Sequence, residues 1–467
     1  MFTIPLSKSW IALPLLTLAS CGIDGPKKST TFFGGEIVNP SSRTVVLSKG
    51  DEVIDSTSLD RNNRFAFSLD SLQDGLYHFN HEPELQYVYL ERGDSLMIRL
   101  NTLYFDESLV FSGKGEEINN FLLDVFLANE KEIRQVRKLY RLDPKTFKDK
   151  IDSLKSSRLA MFQELVRDGN LSERGQKIAK ASVVYAYRTY MEEYPFKHKK
   201  YTGKQVIEKL PGDFYGYRDE LTFNDLDLTY LRPYYNFMNN HVGNLSYVTC
   251  SEKCAIKNDV VRNQLHFNLH KLQLIDSLIK EKELKDNLFR YVAFDYLLYV
   301  HDKKENNETF IKRFHELSDN NRHMLEIDAL YEGIRNVQPN MLMPDVRVSD
   351  LEGNTVSLRQ IATAEDTKSV FYFWSGTNRS HFDYLKKRIR RLSDENPEYR
   401  FVGINIRTSD QVWRGLLENS GLDKNLQFRA SDFENLKKSL IIDRLNKCII
   451  TDNGLIVDAF ADVNDAL

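Results

Sequence analysis

The chain has 467 residues, with 64 Lys and Arg against 67 Asp and Glu and a net charge of −3. That balance excludes recruitment to nucleic acid by charge, and the length excludes a single hydrophobic core. Four cysteines in so long a chain are too few for a disulfide framework.

From the N-terminus, Lys8 leads into the apolar run Trp10 to Leu18, which closes on Ala19, Ser20 and Cys21. The run is shorter than the roughly 20 residues of a membrane span and ends in small residues, as a secretory signal does. Leu18-Ala19-Ser20-Cys21 resembles the bacterial lipobox. That resemblance implies cleavage before Cys21 and lipid on its sulfur, against the plainer reading of an ordinary signal peptide with a chance cysteine. Residues 1–20 are therefore set apart as a signal peptide, and 21–31, rich in Gly, Pro, Lys, Ser and Thr, read as a flexible tether. The expected location is the cell envelope, lipid-anchored at the outer membrane. Which face remains open, because only one acid, Asp24, follows the lipid site closely. No later segment approaches about 18 uninterrupted apolar residues, so the lipid is the expected membrane attachment.

Over residues 32–115 apolar and polar residues alternate in short runs: Glu36-Ile37-Val38, Arg43 to Leu47, Arg64 to Leu69, Leu76 to Phe79 and Leu85 to Leu90. Asn39-Pro40-Ser41-Ser42, Arg61-Asn62-Asn63, Asp74-Gly75 and Arg92-Gly93-Asp94 punctuate them. Strands at such spacing predict a small antiparallel β-sandwich. Asp55-Ser56-Thr57, Asn63 to Phe67, Leu90 to Leu96 and Phe111 to Leu122 resemble the uncharacterised β-domain that precedes thioredoxin-like domains in many bacterial lipoproteins. Gly113-Lys114-Gly115 followed by Asn119-Asn120-Phe121-Leu122 is the most distinctive piece.

Over residues 116–340 the period becomes helical. Ile118, Phe121, Leu122, Val125 and Phe126 recur at three- and four-residue steps, as do Ile151, Leu154, Leu159, Phe162 and Leu165, and Leu272, Leu274, Ile275, Leu278 and Ile279. Breaks are expected at Asp143-Pro144, Asp168-Gly169-Asn170, Tyr194-Pro195 and Leu210 to Asp213. About eight helices in an irregular bundle result. Tyr185, Tyr187, Tyr190 and Tyr194 could line a groove, but filling the core is the better use of amphipathic rings.

Over residues 341–467 strand and helix alternate, which argues a βαβ sheet with flanking helices. Pro344 to Leu358, strand Val370 to Trp374, helix Phe382 to Arg391, strand Phe401 to Ile406, the helix start at Val412-Trp413 and the closing Ile449 to Val457 resemble the thioredoxin-like domain of TlpA- and ResA-type lipoproteins. The fold class is thus multidomain α+β: β-sandwich, helical bundle, thioredoxin-like α/β domain. The resemblance implies a Cys-x-x-Cys pair after the Trp374 strand, but Asn378-Arg379-Ser380-His381 stands there. Thiol–disulfide exchange needs one thiolate to attack and a second thiol to resolve, and neither asparagine nor imidazole does either. The family also carries a cis proline six residues before the Asp of its closing hairpin, in a loop that holds an extended substrate peptide. Aligned on Thr451, that position is Leu445, where a trans bond is expected because non-proline cis bonds are costly. The resemblance also implies a final helix after the hairpin, and none is expected within the residues up to Leu467.

Asn378 or Ser380 suits the N-cap of the next helix, and Ser380 with Asp383 has capping-box spacing. His381 could accept a proton or bind metal there, but with no carboxylate or second ligand evident, capping or packing is the better reading. No catalytic residue is assigned. Cys250 and Cys254 with His266 and His270 space as C-x3-C-x11-H-x3-H. A local disulfide is the first reading, since export favours it; free thiols come second and zinc third, as spacing alone is a weak warrant. Cys448 reads as a small core hydrophobe. No metal or cofactor is therefore expected. The leading functional reading is a redox-inactive binding or scaffold module that holds a protein or peptide partner at the membrane. The alternative is a TlpA-type thiol–disulfide oxidoreductase working through other cysteines.

Overall fold

A computed structural model describes residues 30–82, 84–250, 253–257, 260–364, 368–465 and 467. Cys21 and the tether up to residue 29 lie outside them. The chain divides into two compact units, one of residues up to Arg134 with Ser156–Val183, the other of Gln135–Lys155 with Val184–Leu467.

The first unit opens with β1 (Thr31–Val38), β2 (Thr44–Lys49), β3 (Glu52–Ser58), β4 (Arg64–Leu69), β5 (Gly75–His81), β6 (Glu84–Leu90), β7 (Ser95–Asn101), the short helix α1 (Phe105–Ser108) and β8 (Val110–Lys114). They form two four-stranded sheets, ordered β4-β1-β7-β8 and β3-β2-β5-β6. One departure from the antiparallel expectation is the parallel pairing of β1 with β7. Gly35 makes that approach close: a Cβ there would lie 2.3 Å from the Ile98 carbonyl oxygen. Alternate residues of both sheets turn inward to one core, where Phe33 meets Phe65, Phe67 and Phe79 at ring separations of 5.6, 6.1 and 5.7 Å. Each fully buried ring contributes about 1.5–3 kcal/mol relative to exposure.

The Asn119-Asn120 pair has a structural role. At the start of α2 (Glu116–Leu139) the Asn119 amide accepts from the Tyr89 N–H at 2.7 Å and donates to the Tyr89 carbonyl at 2.9 Å. Asn120 does the same with Phe111, at 3.1 and 3.0 Å. Two side-chain amides thus stand in for missing ladder partners on β6 and β8.

The helical region continues with α3 (Pro144–Asp168), α4 (Glu173–Thr202) and α5 (Arg232–Thr249). A two-stranded hairpin follows, β9 (Ile256–Lys257) and β10 (Val260–Val261), and then α6 (Gln264–Leu278), α7 (Lys282–Asp295), α8 (Lys304–Leu317) and α9 (Met324–Asn336). The break expected at Tyr194-Pro195 does not occur: Pro195 lies inside α4. Tertiary anchoring outweighs the lost backbone bond. Tyr194 is fully buried, stacks on Phe147 at 4.2 Å and donates its hydroxyl to the Leu142 carbonyl at 2.7 Å. Tyr185, Tyr187 and Tyr190 are buried too, so these rings fill core. Among the described residues no helix is long and apolar enough to cross a membrane.

The C-terminal part has β11 (Arg347–Ser349), β12 (Thr355–Ser357), α10 (Leu358–Thr363), β13 (Lys368–Trp374), α11 (Arg379–Glu395), β14 (Tyr399–Asn405), α12 (Asp410–Glu418), β15 (Gln427–Arg429), α13 (Phe433–Leu440), β16 (Lys447–Asp452) and β17 (Leu455–Asp462). One sheet runs β12-β11-β15-β14-β13-β16-β17, with β13, β14 and β15 mutually parallel and β16 and β17 antiparallel to their neighbours. β13 is buried along all but its first residue, as a central strand covered on both faces must be.

Candidate functional site

β13 delivers the chain to the position where the sequence lacks its expected sulfurs. Its last residue, Trp374, is fully buried and stacks on Phe382 of α11 at 4.3 Å. The turn between them is tight. The Gly376 N–H donates to Thr408 Oγ1 at 2.8 Å, and a Cβ on Gly376 would come within 2.7 Å of Thr408 Cγ2.

Asn378 is the N-cap of α11, its Oδ1 accepting the His381 N–H at 3.0 Å. The Ser380–Asp383 capping box does not form. The Ser380 hydroxyl donates instead to Asn378 Oδ1 at 3.1 Å, and Asp383 pairs with Lys386. Asn378 supplies the one acceptor that the first turn needs, so Ser380 has no cap to fill. The His381 ring reaches across to the loop before β16, with Nε2 2.9 Å from Asn446 Oδ1. Since that amide oxygen can only accept, Nε2 carries the proton. Leu445, at the proline position, is half-buried next to Asn446. The residues at the sequence positions of the thiols and of the proline loop are thus brought together, and their polar groups bond one another.

No second thiol lies within this module. Cys448, in β16 opposite Tyr372, is fully buried, and burial pushes its thiol up to about 12. Beside it, sequence reasoning passed over Lys447. Its side chain is fully buried, Nζ donates to the Ile441 carbonyl at 2.6 Å and lies 4.3 Å over the Phe460 ring. Burial depresses its pKa to about 7.

The helical region holds two further polar clusters. Glu192 of α4 is fully enclosed and accepts from Arg218 Nε at 3.0 Å and the Tyr217 hydroxyl at 2.9 Å, with His241 Nδ1 2.8 Å away. Burial alone would raise its pKa, but the hydrogen bonds from His241 and Arg218 overcome that and hold the carboxyl below its ordinary value. The network fixes α5, since Asn244 also donates to the Glu192 carbonyl at 3.1 Å. No local signal in the sequence marks it, because its members are brought together only by helix packing.

At the end of α5 lies the second cluster. The Cys250 and Cys254 sulfurs are unbonded, so the first sequence reading, a local disulfide, is not what this structure contains. Instead both sulfurs face one imidazole nitrogen, His266 Nδ1, at 3.2 and 3.5 Å. Burial and the neighbouring Cys250 push the Cys254 thiol up to about 12. His270, one helical turn on, is held apart by Ser246, whose Oγ lies 3.0 Å from its Nδ1. Burial and His266 lower its pKa.

The strand order around β13, with parallel β14 on one side and the antiparallel β16–β17 hairpin on the other, defines a thioredoxin-like fold for the C-terminal part. No family model and no curated protein matches the chain. Solved structures do. The thioredoxin domain of a thiol-disulfide oxidoreductase from Bacteroides vulgatus is 22% identical over 26% of this chain and 86% of its own, with a TM-score of 0.22. A thiol-disulfide oxidoreductase from Bacteroides fragilis is 16% identical over 25% of this chain and 88% of its own, TM-score 0.22. A secreted Mycobacterium tuberculosis disulfide oxidoreductase is 15% identical over 24% and 81%, TM-score 0.20. The likeness is confined to about a quarter of this chain and carries nothing about its chemistry.

Proposed function

We propose that this chain is a lipid-anchored protein of the cell envelope, tethered at the outer membrane through Cys21, whose thioredoxin-like module holds a protein or peptide partner without exchanging thiols. The observation that supports it is the use made of Asn378 and His381. One caps α11, the other bonds Asn446, and neither has chemistry to replace an attacking or a resolving thiol. A module in this state retains a surface that can bind and lacks a group that can turn over.

The oxidoreductase alternative has one observation in its favour, the proximity of the Cys250 and Cys254 sulfurs. Both are buried, whereas exchange requires an accessible thiolate. Insulin reduction by the purified full chain separates the two readings. The expected result is no turnover above buffer, with turnover appearing only when N378C and H381C are introduced together. Wild-type turnover abolished by C250S would overturn the proposal. Affinity purification from gently solubilised membranes should recover a stoichiometric partner.

A further inference from the structure

We infer that Cys250, Cys254 and His266 form a binding site for one zinc ion, held by two thiolates and one imidazole nitrogen. This goes beyond the proposed function and does not rest on it. The three ligand atoms all lie within 4.8 Å of one another. A tetrahedral zinc ion with sulfur at ~2.3 Å and nitrogen at ~2.0–2.1 Å holds a sulfur and a nitrogen about 3.6 Å apart. The sulfur-to-Nδ1 separations of 3.2 and 3.5 Å are close to that edge before any ligand has moved.

The backbone supplies the reason for the convergence. Cys250 terminates α5, its N–H bonded to the Ser246 carbonyl, and the Cys254 N–H returns to the Cys250 carbonyl at 3.2 Å. Ala255 then turns with φ +47°, a conformation an alanine adopts at some cost, and starts the hairpin. The Asn263 N–H bonds the Cys254 carbonyl at 3.1 Å, and the Asn263 side chain caps α6 by accepting the His266 N–H at 3.0 Å. His266 is therefore set in the first turn of α6, facing the two sulfurs. The hairpin between them has strands of only two residues each, too short to hold its own shape. An ion bridging α5, the turn and α6 would clamp it.

The ligand set also selects the metal. Two thiolates and an imidazole suit zinc and exclude the hard cations that want oxygen. On binding, each thiol releases its proton to solvent and His266 donates a nitrogen lone pair. His266 is half-buried, which leaves the site an entry path. His270 stays with Ser246 and solvent takes the fourth position.

The full chain, purified in detergent under reducing conditions, should carry one zinc per chain by elemental analysis. Replacement by cobalt(II) should produce a thiolate-to-cobalt charge-transfer band and the intense d–d bands of a tetrahedral site. C250S, C254S and H266A should each abolish those bands, H270A should keep them, and circular dichroism should show which variants fold. Where a variant does not fold, the wild-type chain still decides: zinc should protect both cysteines from alkylation, and chelation should expose them and lower Tm. Absence of stoichiometric zinc or cobalt with both thiols free would overturn the site, as would a Cys250–Cys254 disulfide in protein isolated without added oxidant or reductant.

Discussion

The loop after Trp374 and the turn after α5 have exchanged what their surroundings lead one to expect. The first sits at the head of a central strand in a thioredoxin-like sheet, the place where that architecture presents sulfur, and it presents an amide and an imidazole already bonded to their neighbours. The second lies between two packed helices, and there two sulfurs and an imidazole nitrogen face one another. The difference teaches that a fold does not by itself dictate which side chains stand at its rim. A sheet topology persists because its core is buried on both faces, while the residues at its exposed rim answer to other needs.

The strongest challenge to this contrast is E192A. Glu192 holds α5, which leads into Cys250, and removing one member of an enclosed ion pair costs about 3–5 kcal/mol because the other charge is left stranded. A urea titration followed by far-UV circular dichroism should show that loss, and a change below ~1 kcal/mol would mean that α5 is held by apolar packing alone.

Next in size is K447M, which tests the loop on the thioredoxin-like side. The folded pKa of Lys447 is about 7, below the ~10.4 of an unfolded lysine, because burial disfavours its ammonium. Between those values the unfolded chain binds more protons than the folded one, so this group makes unfolding free energy rise with pH, by at most about 1.4 kcal/mol per unit. Asp443 and Asp458 moderate the shift, while Arg444 deepens it. Urea midpoints at pH 7 and pH 10 should differ less in K447M than in wild type. An unchanged difference would show that the lysine is already protonated and paired in the folded state.

The smallest effect belongs to N378A. Loss of an N-cap acceptor costs about 0.5–2 kcal/mol, and N378S should restore most of it. If N378A is neutral by thermal melting, Asn378 is not retained for capping and the structural account of this position fails.

Much of this was legible before the fold was known, and the misses have causes. The run Val370 to Trp374 announced a buried strand because five consecutive apolar residues admit little else. β3 escaped notice because almost every one of its side chains is exposed, so Glu52–Ser58 shows no alternation. The parallel contact of β1 with β7 joins residues some sixty positions apart, beyond the reach of any local pattern. The spacing of the cysteines and histidines was plain, but not which histidine would face the sulfurs. That depended on Asn263 setting the start of α6 and on Ser246 engaging His270. The Glu192 network was invisible for the same reason, as Arg218 and His241 meet it only through packing.

The position of β1 bears on mechanics. It is an interior strand, hydrogen-bonded along both edges to β4 and β7. Tension entering along residues before Thr31 would pull this strand lengthwise, loading both ladders together instead of peeling bonds one at a time. A covalent attachment made on that side would therefore hang the first unit from a strand held along both edges, not from an edge strand.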